Sequence, residues 1–416
     1  MSTKDGIFPD GFLWGAATSA HQVEGGQRND WSEWEASPSR LADLEKRGLL
    51  RKFGKDNFIS GDACDHFRRY ADDFQLAKDL GHNATRFSLE WSRIEPTEGA
   101  FDESMIRHYH DVARTIRSLG MEPFVTLWHW TNPLWFRDRG GWLNSRAPEW
   151  FARYVERIIA ALGDGVRFWI TLNEPEIVVA SHLVGRFPPQ QRNLFSYLRV
   201  IRNLINAHRR AYHVIKKRNP LAQIGIAHNV IDFEAAGINP LNHALKRVAD
   251  WWANDYFFDR IRNEQDFLGC NYYFHNRIHW GFNKNENRVR SDMGWELRPD
   301  GLEGVLLRLK KFRRPVYITE NGIADAEDRL RPQVLIESLS AVHRALMQGT
   351  DVRGYLHWSL LDNFEWDSGF WPRFGLLEVD RTTLKRTPRR SAYLFRDLIL
   401  ENGISHGMPN AYKNPI

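Results

Sequence analysis

The sequence predicts an α/β fold made of one closed (β/α)8 barrel, the TIM barrel architecture, and three observations predict it. Short β-rich apolar runs alternate with longer amphipathic stretches along the chain, the pattern of parallel strands joined by crossover helices. Eight such runs are present, enough to close a barrel. No Pro/Ser/Gly-rich linker separates two halves, and 416 residues fit a single barrel with insertions, which can exceed about 400 residues. In chain order the expected strands are Phe12 to Ala17, Ala84 to Trp91, Pro123 to Trp130, Phe168 to Asn173, Gln223 to His228, Phe267 to Tyr273, Val316 to Glu320 and Gly354 to Leu360. Between them, helices are expected over Asp72 to Leu80, over Asp102 to Leu119, and from Pro148 to just before Gly163. A Gly after the last periodic residue is the stop signal in each case. Ser37 to Gly61, rich in Lys, Arg, Asp and Gly, and the polar Arg277 to Asp292 read as loops. Residues 1–416 read as one barrel domain, with a core at about 8–400 and a short irregular C-terminal tail.

Composition narrows the function classes. Hydrophobic residues are 42% and charged residues 26%, the mix of an ordinary globular protein. The net charge of +5 is dispersed, without the basic stripe or module of a nucleic-acid binder, so no nucleic-acid partner is expected. The start, Met1 to Asp10, lacks the apolar core of a secretory signal, and no run approaches the roughly 18 apolar residues of a membrane span. The expectation is a cytoplasmic protein with no membrane partner. Cys64 and Cys270 lack metal or redox spacing and read as buried thiols. His108-Tyr-His110-Asp111 has metal-like residue types, but on a helix its two imidazoles point to different faces. No H-E-x-x-H, P-loop or G-x-G-x-x-G context is present, so neither metal nor cofactor is expected. The aromatic content of 13% divides between core filling and an aromatic-lined cleft.

In a barrel of this type the active site lies at the carboxyl ends of the strands, and those ends carry chemistry. The first leads to Gln22, the second carries Arg86, and the third ends in Trp128-His129-Trp130. The fourth ends in Asn173-Glu174-Pro175, the sixth in Asn271-Tyr272-Tyr273, the seventh in Glu320-Asn321-Gly322, and the eighth in Trp358, followed by Glu365-Trp366. Glu174 and Glu320 terminate otherwise apolar strands, where a carboxylate without partners costs several kcal/mol. A structural salt bridge or helix-capping role explains either alone. Together on one rim, among polar and aromatic groups suited to a sugar, they favour glycoside hydrolysis.

At these residues the sequence resembles glycoside hydrolase family 1, the β-glucosidase and β-galactosidase family of (β/α)8 barrels. The resemblance is carried by Phe12-Leu-Trp-Gly-Ala-Ala-Thr-Ser-Ala-His-Gln-Val-Glu-Gly25, Thr171-Leu-Asn-Glu-Pro175, Asn271-Tyr-Tyr273, Tyr317-Ile-Thr-Glu-Asn-Gly322 and His357-Trp-Ser-Leu-Leu-Asp-Asn-Phe-Glu-Trp366. It runs from about Phe8 to Ile399. It implies Glu174 as acid/base and Glu320 as nucleophile, with Arg86 and Tyr273 favouring ionised Glu320. It also implies Asn173 on the 2-hydroxyl, Gln22, His129 and Glu365 on other hydroxyls, Trp358 as platform and Trp366 as an indole donor. The expected outcome is retention, with the two carboxyls roughly 5 to 5.5 Å apart.

The expected substrate is a small-molecule β-glycoside or oligosaccharide. The intact Glu365-Trp366 pair favours unphosphorylated sugars, where 6-phosphate-using relatives resemble one another in replacing it. Glu174 excludes the Gln of myrosinase-like members. Two departures stand out: the stretch between the carboxylates is short, mainly over His228 to Asp266, which predicts a wider leaving-group side, and Cys270 replaces a small aliphatic residue. Alternatives are a transglycosylase using the same covalent intermediate and a catalytically weak sugar-binding barrel, although the latter normally loses a carboxylate.

Overall fold

Strands apolar on both faces need cover on both, and the eight runs obtain it by closing on one another inside a ring of helices. The computed structural model describes residues 6–286 and 289–404. The barrel strands are β1 (Leu13–Ala17), β2 (Ala84–Ser88), β3 (Glu122–Trp128), β4 (Phe168–Asn173), β5 (Gln223–Asn229), β6 (Leu268–Tyr272), β7 (Val316–Asn321) and β8 (Val352–Trp358). Each pairs in parallel with its neighbours, and β1 bonds to both β2 and β8, which closes the barrel.

Side chains alternate across each strand, so the interior is layered. At the amino end Phe124, Phe168, Phe267 and Tyr317 form an aromatic plug with Leu356 and Leu13, and the Phe124 and Phe168 rings stack at 4.3 Å. Two residues further along β2, β3 and β7 the inward positions turn polar, as Arg86, Thr126 and Thr319, all buried. The plug thus forms the floor of a polar chamber that opens at the carboxyl ends. Register shifts interrupt the ladders between Ile170 and Asn173, between Cys270 and Asn271, and between Tyr355 and His357. Bulges of this kind re-aim side chains beside a site.

Several element boundaries differ from expectation. β2 stops at Ser88 because Glu90 caps a short helix, Trp91–Ile94, its side chain accepting from the Ser92 N–H. The expected helices are present as His66–Asp79, Glu103–Ser118 and Ala147–Leu162. The expected loop over Ser37 to Gly61 instead holds two helices, Pro38–Lys46 and Leu49–Phe53. Ser37 caps the first, Pro38 opens it, and Leu44 is its buried anchor. The segment from Arg277 begins inside a short strand, His275–Ile278, paired in parallel with Asp232–Ala235; beyond it the described residues are largely irregular, and 287–288 lie outside the description. The expected tail lies mostly outside it as well, at 405–416.

Cys64 and Cys270 are buried free thiols. His110 is exposed, whereas His108 is half-buried and stacks on Phe67 at 3.9 Å. Among the described residues no cluster of three His, Cys, Asp or Glu could hold a metal, and no helix is long and apolar enough to cross a membrane.

Candidate active site

Glu320 is the penultimate residue of β7, opposite Asn271 of β6. Its Oε1 accepts from Arg86 Nη1 at 2.6 Å and its Oε2 from the Tyr273 hydroxyl at 2.8 Å. Arg86 is fully buried and distributes its other donors to Asn173 Oδ1 at 2.6 Å, Thr126 Oγ1 at 2.9 Å and the Thr319 carbonyl at 3.2 Å. Every side of the guanidinium fork therefore has a defined acceptor, as a buried cation requires.

Glu174 follows the last residue of β4 in a left-handed conformation, φ 42° and ψ 62°, held by its N–H donating to the Ala227 carbonyl at 2.7 Å. A non-glycine residue there costs about 1–3 kcal/mol and is a mark of functional sites. Trp130 and Trp366, on the same cleft, share this feature with φ of 77° and 48°. The only hydrogen-bond donor that Glu174 receives among the described side chains is Asn271 Nδ2, at 2.9 Å from Oε1. Asn271 is itself fixed by Thr319 Oγ1, which donates to its Oδ1 at 2.7 Å.

The electrostatics separate the two carboxyls. Burial raises both, but Glu320 is opposed by Arg86 and by the Tyr273 hydrogen bond. Glu174 is pushed well above the carboxylate range by burial, by the charge of Glu320 and by Glu176. Of the two, Glu174 therefore holds a proton the more tightly and Glu320 is the more readily ionised.

The remaining predicted residues converge on the same cleft, of about 840 Å³ including its mouth. That size admits a ligand larger than one sugar. Asn173 Nδ2 lies 3.0 Å from His129 Nε2, which as oriented makes Nε2 the acceptor; burial and Arg86 hold His129 far below its usual pKa, so it is neutral. Gln22 Nε2 reaches the Phe364 carbonyl at 2.9 Å, Asn363 Oδ1 at 3.0 Å and Glu365 Oε2 at 3.3 Å. Burial, then Glu320 and Asp367, raise Glu365 to about 8. At neutral pH it is mainly protonated and can donate as well as accept. Trp358 and Trp366 both line the cleft, with Trp366 packed on Trp130 at 4.4 Å. All ten predicted residues are thus brought together; nine line the cleft, and Arg86 lies just behind it.

Sequence reasoning missed other parts of the cleft. Asn271 stood in a matched motif without a role. Asn229 also lines the cleft, as the last residue of β5, one beyond the expected strand end. Glu176, two residues after Glu174, pairs with His228 at 2.8 Å, and its charge helps to raise the pKa of Glu174. Trp295 and Phe187 reach the cleft from irregular segments, where no periodicity marks them.

The profile of Glycosyl hydrolase family 1 matches residues 4–263 and 238–404. The chain belongs to glycosyl hydrolase family 1. It is 32% identical to beta-glucosidase A of Thermotoga maritima over 95% of this chain and 98% of the relative. It is 31% identical to a beta-galactosidase of Sulfolobus acidocaldarius over 98% of both chains. A beta-glycosidase from Pyrococcus horikoshii superposes with a TM-score of 0.88 at 35% identity, covering 98% of both chains. The Thermotoga maritima beta-glucosidase in complex with glucoimidazole superposes at 0.87 and 30% identity, covering 96% of this chain and all of that one. This family 1 glycosyl hydrolase accordingly has the expected (β/α)8 fold.

Proposed function

We propose that the chain is one catalytic domain, a retaining β-glycosidase acting on terminal unphosphorylated β-D-glucosides, with β-galactosides and β-fucosides as further substrates. The observation that carries the proposal is the unequal company of the two carboxyls. Glu320 meets a guanidinium and a phenol, while Glu174 meets an amide and two negative charges.

In the first step a Glu320 oxygen attacks the anomeric carbon from the α face. The bond to the leaving oxygen breaks, and that oxygen takes the proton of Glu174. Esterification removes the charge on Glu320, so the pKa of Glu174 falls and its carboxylate becomes a base. Glu174 then takes a proton from water as the water oxygen attacks the same carbon from the β face, and the ester bond to Glu320 breaks. Two inversions leave net retention. Asn173, held by Arg86 and adjoining His129, meets the 2-hydroxyl; Gln22, His129 and Glu365 meet the others; Trp358 and Trp366 cover the ring. A protonated Glu365 serves both orientations of the 4-hydroxyl. A dianionic 6-phosphate would arrive beside Glu365 and Asp367, with Arg186 already paired to Asp367 at 2.8 Å, which disfavours phosphorylated sugars.

The test uses p-nitrophenyl glycosides and azide. Glu320→Gly should abolish turnover and be rescued as the α-glycosyl azide, and Glu174→Ala as the β-azide. Rescue with the opposite anomers, or hydrolysis of α-linked substrates alone, would overturn the mechanism.

A further inference from the structure

Ten of the fifteen large apolar side chains that are exposed among the described residues fall in three short segments, 184–198, 238–251 and 280–282. These segments adjoin one another. The Trp280 N–H donates to Asn242 Oδ1 at 3.0 Å, tying the 280 loop to the helix Pro240–Ala249. Trp252 Nε1 donates to the Tyr197 hydroxyl at 3.2 Å, tying the turn after that helix to the helix Leu194–Arg218. The strands Asp232–Ala235 and His275–Ile278 carry the first two of these elements outward from the carboxyl ends of β5 and β6. The patch therefore stands on the active-site face of the barrel.

Its pattern is the reverse of a packed helix. Leu241, Ala244, Val248 and Trp251 recur at spacings of three and four residues, one helical face, and all four are exposed, as is Ile238 in the turn before the helix, at 98%. On the neighbouring helix Phe195, Leu198, Arg199 and Arg202 share an outward face. Trp280 and Phe282 are 66% and 51% exposed at the loop tip. The exposed charges have one sign, and Asp250, within the second segment, is buried and paired with Lys246 at 2.7 Å. Residues 192–218, 238–249 and 276–285 contain no Asp or Glu, while Arg199, Arg202, Arg247 and Lys284 are exposed among the apolar groups. Glu286, at the edge, is paired with Arg277.

We infer that this face docks on an anionic lipid surface, its aromatic and aliphatic side chains entering the headgroup layer and its cations meeting lipid phosphates. A second copy of the chain is the poorer occupant, because a symmetric contact would set basic, acid-free segments against each other. The expectation of no membrane partner considered membrane spans only and is revised here to surface binding. The cleft mouth would then face the lipid.

The test is co-sedimentation of the intact protein with phosphatidylcholine vesicles, with and without about 30 mol% phosphatidylglycerol. Binding is expected only with the anionic lipid, released as salt shortens the Debye length from about 10 Å at 0.1 M to about 3 Å at 1 M. Trp251→Ser/Trp280→Ser and, separately, Arg199→Glu/Arg202→Glu should each lower the partition coefficient at least about tenfold. Hydrolysis of a soluble p-nitrophenyl glycoside should be unchanged in both, which reports an intact fold. No binding to the anionic vesicles would overturn the inference, as would a dimer in sedimentation velocity that the same variants dissociate.

Discussion

Glu365 provides the strongest quantitative test of how this cleft is built. Burial, Glu320 and Asp367 lift it from 4.5 to about 8, so the folded state holds this proton more tightly than the unfolded chain does. The stability tied to that proton is complete below pH 4.5 and is lost as the pH rises toward 8. Each pH unit in that interval removes about 1.4 kcal/mol, so about 3 kcal/mol disappears between pH 5 and pH 7. Glu365 keeps some surface toward the open cleft, which makes this an upper figure. Glu365→Gln cannot titrate and escapes the loss. For 416 residues the unfolding entropy is about 0.9 kcal/mol per degree, so the variant should gain about 3 °C in Tm relative to wild type on moving from pH 5 to pH 7. The assay is thermal unfolding of both proteins at pH 5, 6 and 7. The same variant should lose about 2- to 10-fold in kcat/KM on a β-glucoside at neutral pH, because a hydrogen bond from a neutral partner is worth about 0.5–1.5 kcal/mol. A Tm difference that stays constant across this range would refute the reasoning, whatever its sign.

Two further substitutions read the carboxyl pair through pH profiles of kcat/KM. The Tyr273 hydroxyl lowers the pKa of Glu320, and activity requires Glu320 ionised; Tyr273→Phe should therefore move the acidic limb to higher pH and reduce the maximum about tenfold. An acidic limb that stays in place or moves down would count against the assigned role. Glu176 raises Glu174, and activity requires the Glu174 proton. Glu176→Gln should accordingly move the basic limb to lower pH while leaving the acidic limb in place. Equal movement of both limbs would mean that Glu176 acts on the cleft as a whole.

What the sequence revealed follows from where its signals originate. β4 was legible to the residue because Phe-Trp-Ile-Thr-Leu-Asn is buried on both faces, and a carboxylate directly after such a run has few structural reasons to be there. The helices within Ser37 to Gly61 were not legible, because a polar composition leaves Leu44 as the only buried apolar side chain of Pro38–Lys46. Arg40 anchors that helix through a contact with the Asp367 carbonyl at 2.5 Å, which no local pattern encodes. Arg86 and Tyr273, which the family resemblance implied beside Glu320, both hydrogen-bond to it. The protonated state of Glu365 was not, since it arises from burial and from charges brought in by barrel closure. Trp295 and Phe187 illustrate the same limit, as irregular segments reach the cleft only after the strands have set its position.

The arrangement also explains why so much of the site depends on one residue. Arg86 opposes the burial of Glu320, orients Asn173 toward the expected 2-hydroxyl position, and anchors to Thr126 on the adjacent β3 and to Thr319 on β7, across the barrel interior. A lysine has one compact ammonium and could not span these acceptors at once. Placing a single guanidinium under both the nucleophile and its hydrogen-bonding neighbour makes the charge of the first and the orientation of the second a common property of the barrel interior. The aromatic plug beneath excludes water from that layer, which strengthens each of these contacts. The strain at Trp130, Glu174 and Trp366 and the proton forced onto Glu365 are destabilising by themselves, and they persist because eight paired strands and the packed shell around them over-determine the rim. The cleft residues are thus held by the closed barrel, while the segment after β5 carries an exposed apolar and basic face.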